Sequence, residues 1–187
     1  QLKKIDDKEY AYEHIELDRT QKGIEPKRSN KLPINKFPVD KKMQDKTGCL
    51  VVWERPVPNP EFGAYYASID PVSEGKTTTS DSLCSIFVYK NAVEIKRETA
   101  NGLEHFIENA KLVAAWCGRY DDINKTHEQL EKIIEWYNAW TIVENNISLF
   151  IQHMIAKRKQ KYLVPKAQIL FLKDLGYEDP IERPEAM

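Results

Sequence analysis

The sequence is short of the features that mark several large protein classes. Cysteine occurs three times in 187 residues, at Cys49, Cys84 and Cys117, an odd number with no CxxC spacing. That argues against a disulfide framework or a zinc ribbon and fits reduced, structural thiols in a cytosolic setting. Glycine numbers only 7, too few for a collagen-like or glycine-rich chain. No uncharged run approaches the ~18 residues of a membrane span. The first residues carry neither a basic leader nor an apolar signal core, so a chain that is not secreted is expected. Charge of one sign is lacking too: 28 Lys and Arg against 29 Asp and Glu leave a net −1.

What is present is globular in composition. Hydrophobic residues make up 41% and charged residues 30%, with four Trp, nine Tyr and six Phe, which excludes wholesale disorder. The length suits one domain of ordinary size, or one domain with an arm. The near-zero net charge conceals a pattern. Residues 1–50 carry 12 basic and 9 acidic groups, residues 51–100 carry 5 and 7, residues 101–150 carry 4 and 8, and residues 151–187 carry 7 and 5. An acidic middle lies between basic flanks. Within residues 151–166 there are five basic side chains and no acid. That is a solvated face or a surface for a polyanion.

Residues 1–50 are polar and punctuated by Pro26, Pro33 and Pro38, which reads as an arm or linker with a helix around Lys8–Arg19. Residues 51–175 read as the folded domain and 176–187 as a polar tail. Cys49–Glu54, Ala64–Ile69, Leu83–Tyr89 and Ala92–Arg97 have strand character, the last two joined at Lys90-Asn91 as a tight hairpin. Phe106, Ile107, Ala110, Val113, Ala114 and Cys117 recur at helical spacing, with Gly118 as a natural stop. Thr126-His127-Glu128-Gln129 has capping-box form ahead of a stripe at Leu130, Ile133, Ile134 and Tyr137. Trp140–Val143 is a further strand. Asn145 and Asn146 are caps for a helix with an apolar face at Ile147, Phe150, Ile151, Met154 and Ile155. The order β-β-β-α-α-β-α predicts an α/β fold, a mixed sheet covered by helices.

Two acids end strands: Asp70 closes one and Glu144, 74 residues later, closes another. If those strands are neighbours, both carboxylates emerge at one sheet edge. Hard oxygen donors there suit Mg²⁺ or Mn²⁺, and two such ions ~4 Å apart can activate water against a phosphodiester. Each acid on its own is equally a loop or cap residue. Glu74-Gly75-Lys76-Thr77 is not a Walker loop, because Asp70 stands where the first glycine belongs and no helix follows. His105 and His153, without paired ligands, read as structural or surface histidines. Cys84, Cys117, Trp116, Trp136 and Trp140 read as packing residues.

Tyr65-Tyr66-Ala67-Ser68-Ile69-Asp70-Pro71, then Glu74-Gly75, then Ser80-Asp81 before a strand, resembles the opening of the nuclease domain of viral large terminase subunits. Ile142-Val143-Glu144-Asn145-Asn146, preceded by Trp136-Tyr137-Asn138-Ala139, resembles that family's second motif. The resemblance spans roughly residues 50–165. It implies a ribonuclease-H-like fold and metal-dependent cleavage of double-stranded viral DNA during genome packaging in the host cytoplasm. Asp70 and Glu144 would be the catalytic carboxylates. They would bind two Mg²⁺ or Mn²⁺ ions, with Asp81 as a further metal ligand or positioning acid. Lys157, Arg158, Lys159 and Lys161 would meet DNA phosphates, although the same charges also suit the negative end of a helix. The implied partners are an ATPase domain, a portal and a small terminase subunit, with no membrane. The family's third catalytic Asp has no counterpart with convincing context, and packaging ATPase motifs are missing, so a fragment with an N-terminal arm is expected. Alternatives are an inert ribonuclease-H-like module that binds DNA or docks on a motor, or a resolvase- or transposase-type nuclease.

Overall fold

The computed structural model describes residues 4–5, 8–9, 11–34, 46–72, 82–99, 102–144 and 148–165. A short ladder of β1 (Lys4–Ile5) and β2 (Lys8–Glu9) precedes two longer strands, β3 (Glu13–Thr20) and β4 (Gly23–Arg28). There follow β5 (Leu50–Val52), β6 (Tyr65–Asp70), β7 (Cys84–Lys90), β8 (Val93–Thr99), β9 (Gly102–Glu108) and β10 (Lys111–Gly118). Helix α1 (Ile123–Tyr137), strand β11 (Trp140–Val143), helix α2 (Leu149–Ala156) and a 3₁₀ turn at Gln160–Tyr162 complete the described chain.

Seven strands form one mixed sheet in the order β11-β6-β7-β10-β5-β3-β4. Every pairing in it is antiparallel except β11 with β6, which is parallel. Period-two alternation explains why the central strands bury one face only. Tyr65, Ala67 and Ile69 of β6 and Cys84, Ile86 and Val88 of β7 point to the core, while Ser68, Asp70, Phe87 and Tyr89 point away. Both helices lie on the core face. Leu130, Ile133, Ile134 and Tyr137 of α1 and Phe150 and Met154 of α2 join the same apolar cluster as the sheet residues. Asp122 caps α1 by accepting from the Asn124 backbone N–H at 2.9 Å, and Asn138 ends it in the left-handed region. Among the described residues no helix is long and apolar enough to cross a membrane.

The α/β class, the strands at 64–69 and 140–143 and the apolar stripe of α1 agree with the sequence reading. Four expectations are corrected. The described residues 8–9 and 11–19 form no helix: β3 and β4 extend the main sheet, and Ile15 and Leu17 are buried beneath α1. The supposed hairpin of β7 with β8 does not form, because both edges of β7 are taken by β6 and β10. Strand β8 pairs instead with β9 as a separate two-stranded ribbon. At the base of that ribbon, Lys90 and Lys111 both pair with Glu54, at 2.8 and 2.7 Å. The helix expected over residues 106–117 is two strands, β9 and β10. A register shift between Leu112 and Ala114 leaves Val113 and Ala114 both buried, and this break in alternation imitates helical spacing. Finally, α1 begins at Ile123, so Thr126 lies inside it rather than at its cap. The Thr126 hydroxyl accepts from the Tyr120 N–H at 3.0 Å.

Candidate active site

The parallel pairing of β11 with β6 sets Val143 beside Ile69. The Glu144 N–H then donates to the Ile69 carbonyl at 2.9 Å, which carries the ladder one residue further. Asp70 and Glu144 therefore leave adjacent strands at the same end, side by side. Across the other edge of β6, Asp70 stands opposite Ser85 of β7. Burial, the negative charge of Glu144 and a hydrogen bond between the two carboxyls together raise the Asp70 pKa above its ordinary value. Each cause disfavours a second negative charge, and a cation placed between the carboxylates reverses the largest Coulomb penalty. Two carboxylates with hard oxygen donors fit Mg²⁺ or Mn²⁺. Among the described residues no set of three or more His, Cys, Asp or Glu gathers as a metal centre.

The two carboxylates stand in an open cleft of about 280 Å³ on the sheet face turned away from the helices. Among the described residues, Ser68, Ile69, Ser85, Phe87 and Ile142 also line it. The lining residues other than the two acids were not singled out from the sequence. A signal for them was there, because alternation from Asp70 puts Ser68 on its face and alternation from Ser85 does the same for Phe87. Cys84 and Cys117 flank the site without serving as nucleophiles. Burial first, and then the charge of Asp70, push both thiols up, so they stay protonated.

The remaining site residues fall elsewhere. Asp81 lies outside the described residues, as do the Glu74–Thr77 loop and the caps Asn145 and Asn146. Lys157 follows α2 directly, and Arg158 takes a positive φ of 57° as the helix ends. Both are exposed, and so is Lys161, whose ammonium sits 4.8 Å from the centre of the Tyr162 ring. Lys159 is turned inward, bonding to Glu131 and Glu135 of α1, so its expected role toward phosphates gives way to a structural one. The basic run is not beside the carboxylates. Tyr162 and Trp140 both contact the Phe62 ring, at 6.3 and 5.9 Å. That places Tyr162, where the run ends, near the start of β11, at the opposite end of that strand from Glu144.

His153 bonds Glu131 at 2.6 Å and His105 bonds Glu94 at 2.7 Å, both in structural pairs. No protein-family model, curated protein or solved structure matches this chain.

Proposed function

We propose that the chain is a divalent-metal-dependent nuclease domain of the ribonuclease-H-like class, of the kind that cuts DNA in viral terminases. One observation carries the reading: Asp70 and Glu144 stand side by side where two parallel strands end, in an open cleft. Support for the fold comes from the central strands β10-β7-β6-β11, an antiparallel run closed by a parallel return through α1. Support for the family comes from the two sequence motifs, which these strands bring together.

Bound Mg²⁺ or Mn²⁺ supplies Lewis-acid stabilisation of the developing negative charge and lowers the pKa of water. The residues do the rest. Asp70 and Glu144 would hold the cation where β6 and β11 end. The open face admits a phosphodiester, and the sheet behind the cleft keeps both carboxylates at fixed spacing. In the overall step one water is consumed. Its oxygen forms a bond to phosphorus and gives up a proton to solvent, one P–O ester bond breaks, and the leaving oxygen takes a proton from solvent. Lys157, Arg158 and Lys161, exposed beyond α2, are available to a polyanion.

The test is cleavage of supercoiled plasmid DNA in Mg²⁺ or Mn²⁺. Asp70→Asn and Glu144→Gln are each expected to reduce cleavage at least ~10²-fold while circular dichroism and Tm show a retained fold. Cleavage that survives both substitutions removes the site assignment. DNA binding without any cleavage by the unsubstituted chain favours the inert module instead.

A further inference from the structure

Asp70 and Glu144 are two members of a longer cross-strand row. The register that sets Asp70 opposite Ser85 also sets Ser85 opposite Cys117. With Glu144 beside Asp70, the neighbouring strands β11, β6, β7 and β10 each bring one side chain to the same level of the sheet. Across the sheet the row reads carboxylate, carboxylate, hydroxyl, thiol. Residues directly paired on antiparallel strands share a face, with Cβ atoms about 4.5–5.5 Å apart. Ser85 is half-buried and lines the same cleft as the two acids. Its oxygen, one bond beyond Cβ, can approach an Asp70 oxygen to about 3 Å, the spacing of adjacent ligands on a cation bound at about 2.1 Å. Ser68, also in the cleft, pairs with Phe87 and lies one row, or ~7 Å, back along β6. Cys117 is one strand beyond Ser85, about 10 Å from Asp70 at ~4.8 Å per strand.

We infer that Ser85 is a third oxygen ligand of the divalent cation held at Asp70 and Glu144. The inference rests on the nuclease reading and deepens it, by adding a neutral donor to the two carboxylates which that reading requires. Chemistry favours it first: a hydroxyl is a hard oxygen donor suited to Mg²⁺ or Mn²⁺, as Ser and Thr hydroxyls are in phosphate-binding loops. Charge favours it next. The Glu144 charge is already among the causes that raise the Asp70 pKa. An acid at position 85 would add to that repulsion, whereas a hydroxyl supplies lone pairs and no charge. Placement is the third argument. Strand β7 is paired on both edges, with β6 and with β10, so ladder hydrogen bonds fix the backbone of Ser85 from either side. A donor on such a strand is held ready for the cation, as one carried on a loop is not.

The experiment reads metal binding directly, apart from cleavage. Mn²⁺ is titrated into the full chain and free Mn²⁺ is followed by electron paramagnetic resonance. Asp70→Asn should abolish the binding, and Ser85→Ala should weaken it about tenfold. Ser85→Cys exchanges the hard donor for a soft one. Made together with Cys117→Ser, which removes the adjacent thiol, and kept in reducing buffer, it should bind Cd²⁺ with a thiolate-to-metal charge-transfer band. Adding Asp70→Asn should remove that band, and Ser68→Cys in the same background should show none. Tm measured alongside confirms that each variant is folded. Unchanged Mn²⁺ affinity in Ser85→Ala, a missing band in Ser85→Cys, or an equal band in Ser68→Cys overturns the inference and leaves the carboxylate site in place. The nuclease reading fails on a different result. If Mn²⁺ binding depends on Ser85 but the unsubstituted chain cuts no DNA, the ligand assignment stands and the cleavage assignment falls. A chain that binds no Mn²⁺ removes both.

Discussion

Asp70 shows how a single residue is placed against its own stability. Burial, the charge of Glu144 and the hydrogen bond between the two carboxyls raise its pKa in the folded chain. The folded state then holds its proton more tightly than the unfolded one, so this group favours folding at low pH. That contribution is lost as pH rises through the raised value, and at neutral pH the ionised pair opposes folding. Replacing Asp70 by Asn removes the repulsion. Because the carboxylate is partly open to solvent, screening keeps the gain below about 1 kcal/mol, a rise in Tm of roughly 1–4 °C. Adding Mg²⁺ or Mn²⁺ should reverse the order: the unsubstituted protein gains Tm with metal and Asp70→Asn does not. Thermal scans at neutral pH, with and without metal, read both effects. A substitution that stabilises the apo protein and abolishes metal-induced stabilisation separates a functional carboxylate from a structural cap.

At the scale of elements, legibility followed local pattern. Tyr65–Asp70 and Trp140–Val143 were readable because apolar and polar residues alternate there, and their terminal acids were readable with them. Strand β10 was not, because its bulge buries Val113 and Ala114 in succession. Strand β3 was hidden for another reason: Ile15 and Leu17 are its only buried residues, and the rest of Glu13–Thr20 is polar or charged. What buries them is α1, more than a hundred residues away, whose Lys132 ammonium donates to the Leu17 carbonyl at 2.6 Å. Gly118 carries the same lesson. It looked like a helix stop, yet it is the last residue of β10, and the backbone of Lys46 and Thr47 crosses directly over it. A Cβ there would stand 2.5 Å from the Thr47 carbonyl oxygen and 2.7 Å from the Trp116 ring. Trp116 cannot swing aside freely, since its indole N–H donates to that same carbonyl at 2.9 Å. Gly118→Ala is therefore expected to destabilise by about 1–3 kcal/mol, measured by urea unfolding. A loss under ~0.5 kcal/mol would mean that the 46–47 segment yields.

For the whole molecule, the join between the N-terminal strands and the helices is electrostatic as well as apolar. Glu131 is buried and meets His153 of α2 at 2.6 Å, Lys159 beyond α2, and Arg19 of β3 at 2.7 Å. Burial works against its ionisation, but hydrogen bonds from His153 and Lys159 and the charges of Lys159 and Arg19 hold its pKa down at about 2. A carboxylate with a depressed folded pKa stabilises fully above its unfolded value of 4.5 and loses that contribution as pH falls toward about 2. His127, one turn earlier on α1, works in the same direction for the opposite reason. Burial, then the neighbouring His153, lower its pKa to about 4, and its Nε2 has no hydrogen-bond partner. It stays neutral while the unfolded chain takes up a proton, so stability begins to fall once pH drops below 6.5 and that loss is complete below about 4. Acid unfolding should thus extend from pH 6.5 to about 2, in two overlapping stages of about 2–3 kcal/mol each. His127→Phe should flatten the upper stage, since Phe150 and His153 already surround the ring at 5.5 and 5.3 Å and an apolar ring needs no partner. Glu131→Gln should flatten the lower stage and lower stability at neutral pH, because it leaves Lys159 and His153 without their shared anion. Urea midpoints across this pH range distinguish the two. If His127→Phe leaves the slope between pH 6.5 and 4 intact, the buried histidine is not what makes the α1–α2 join sensitive to acid.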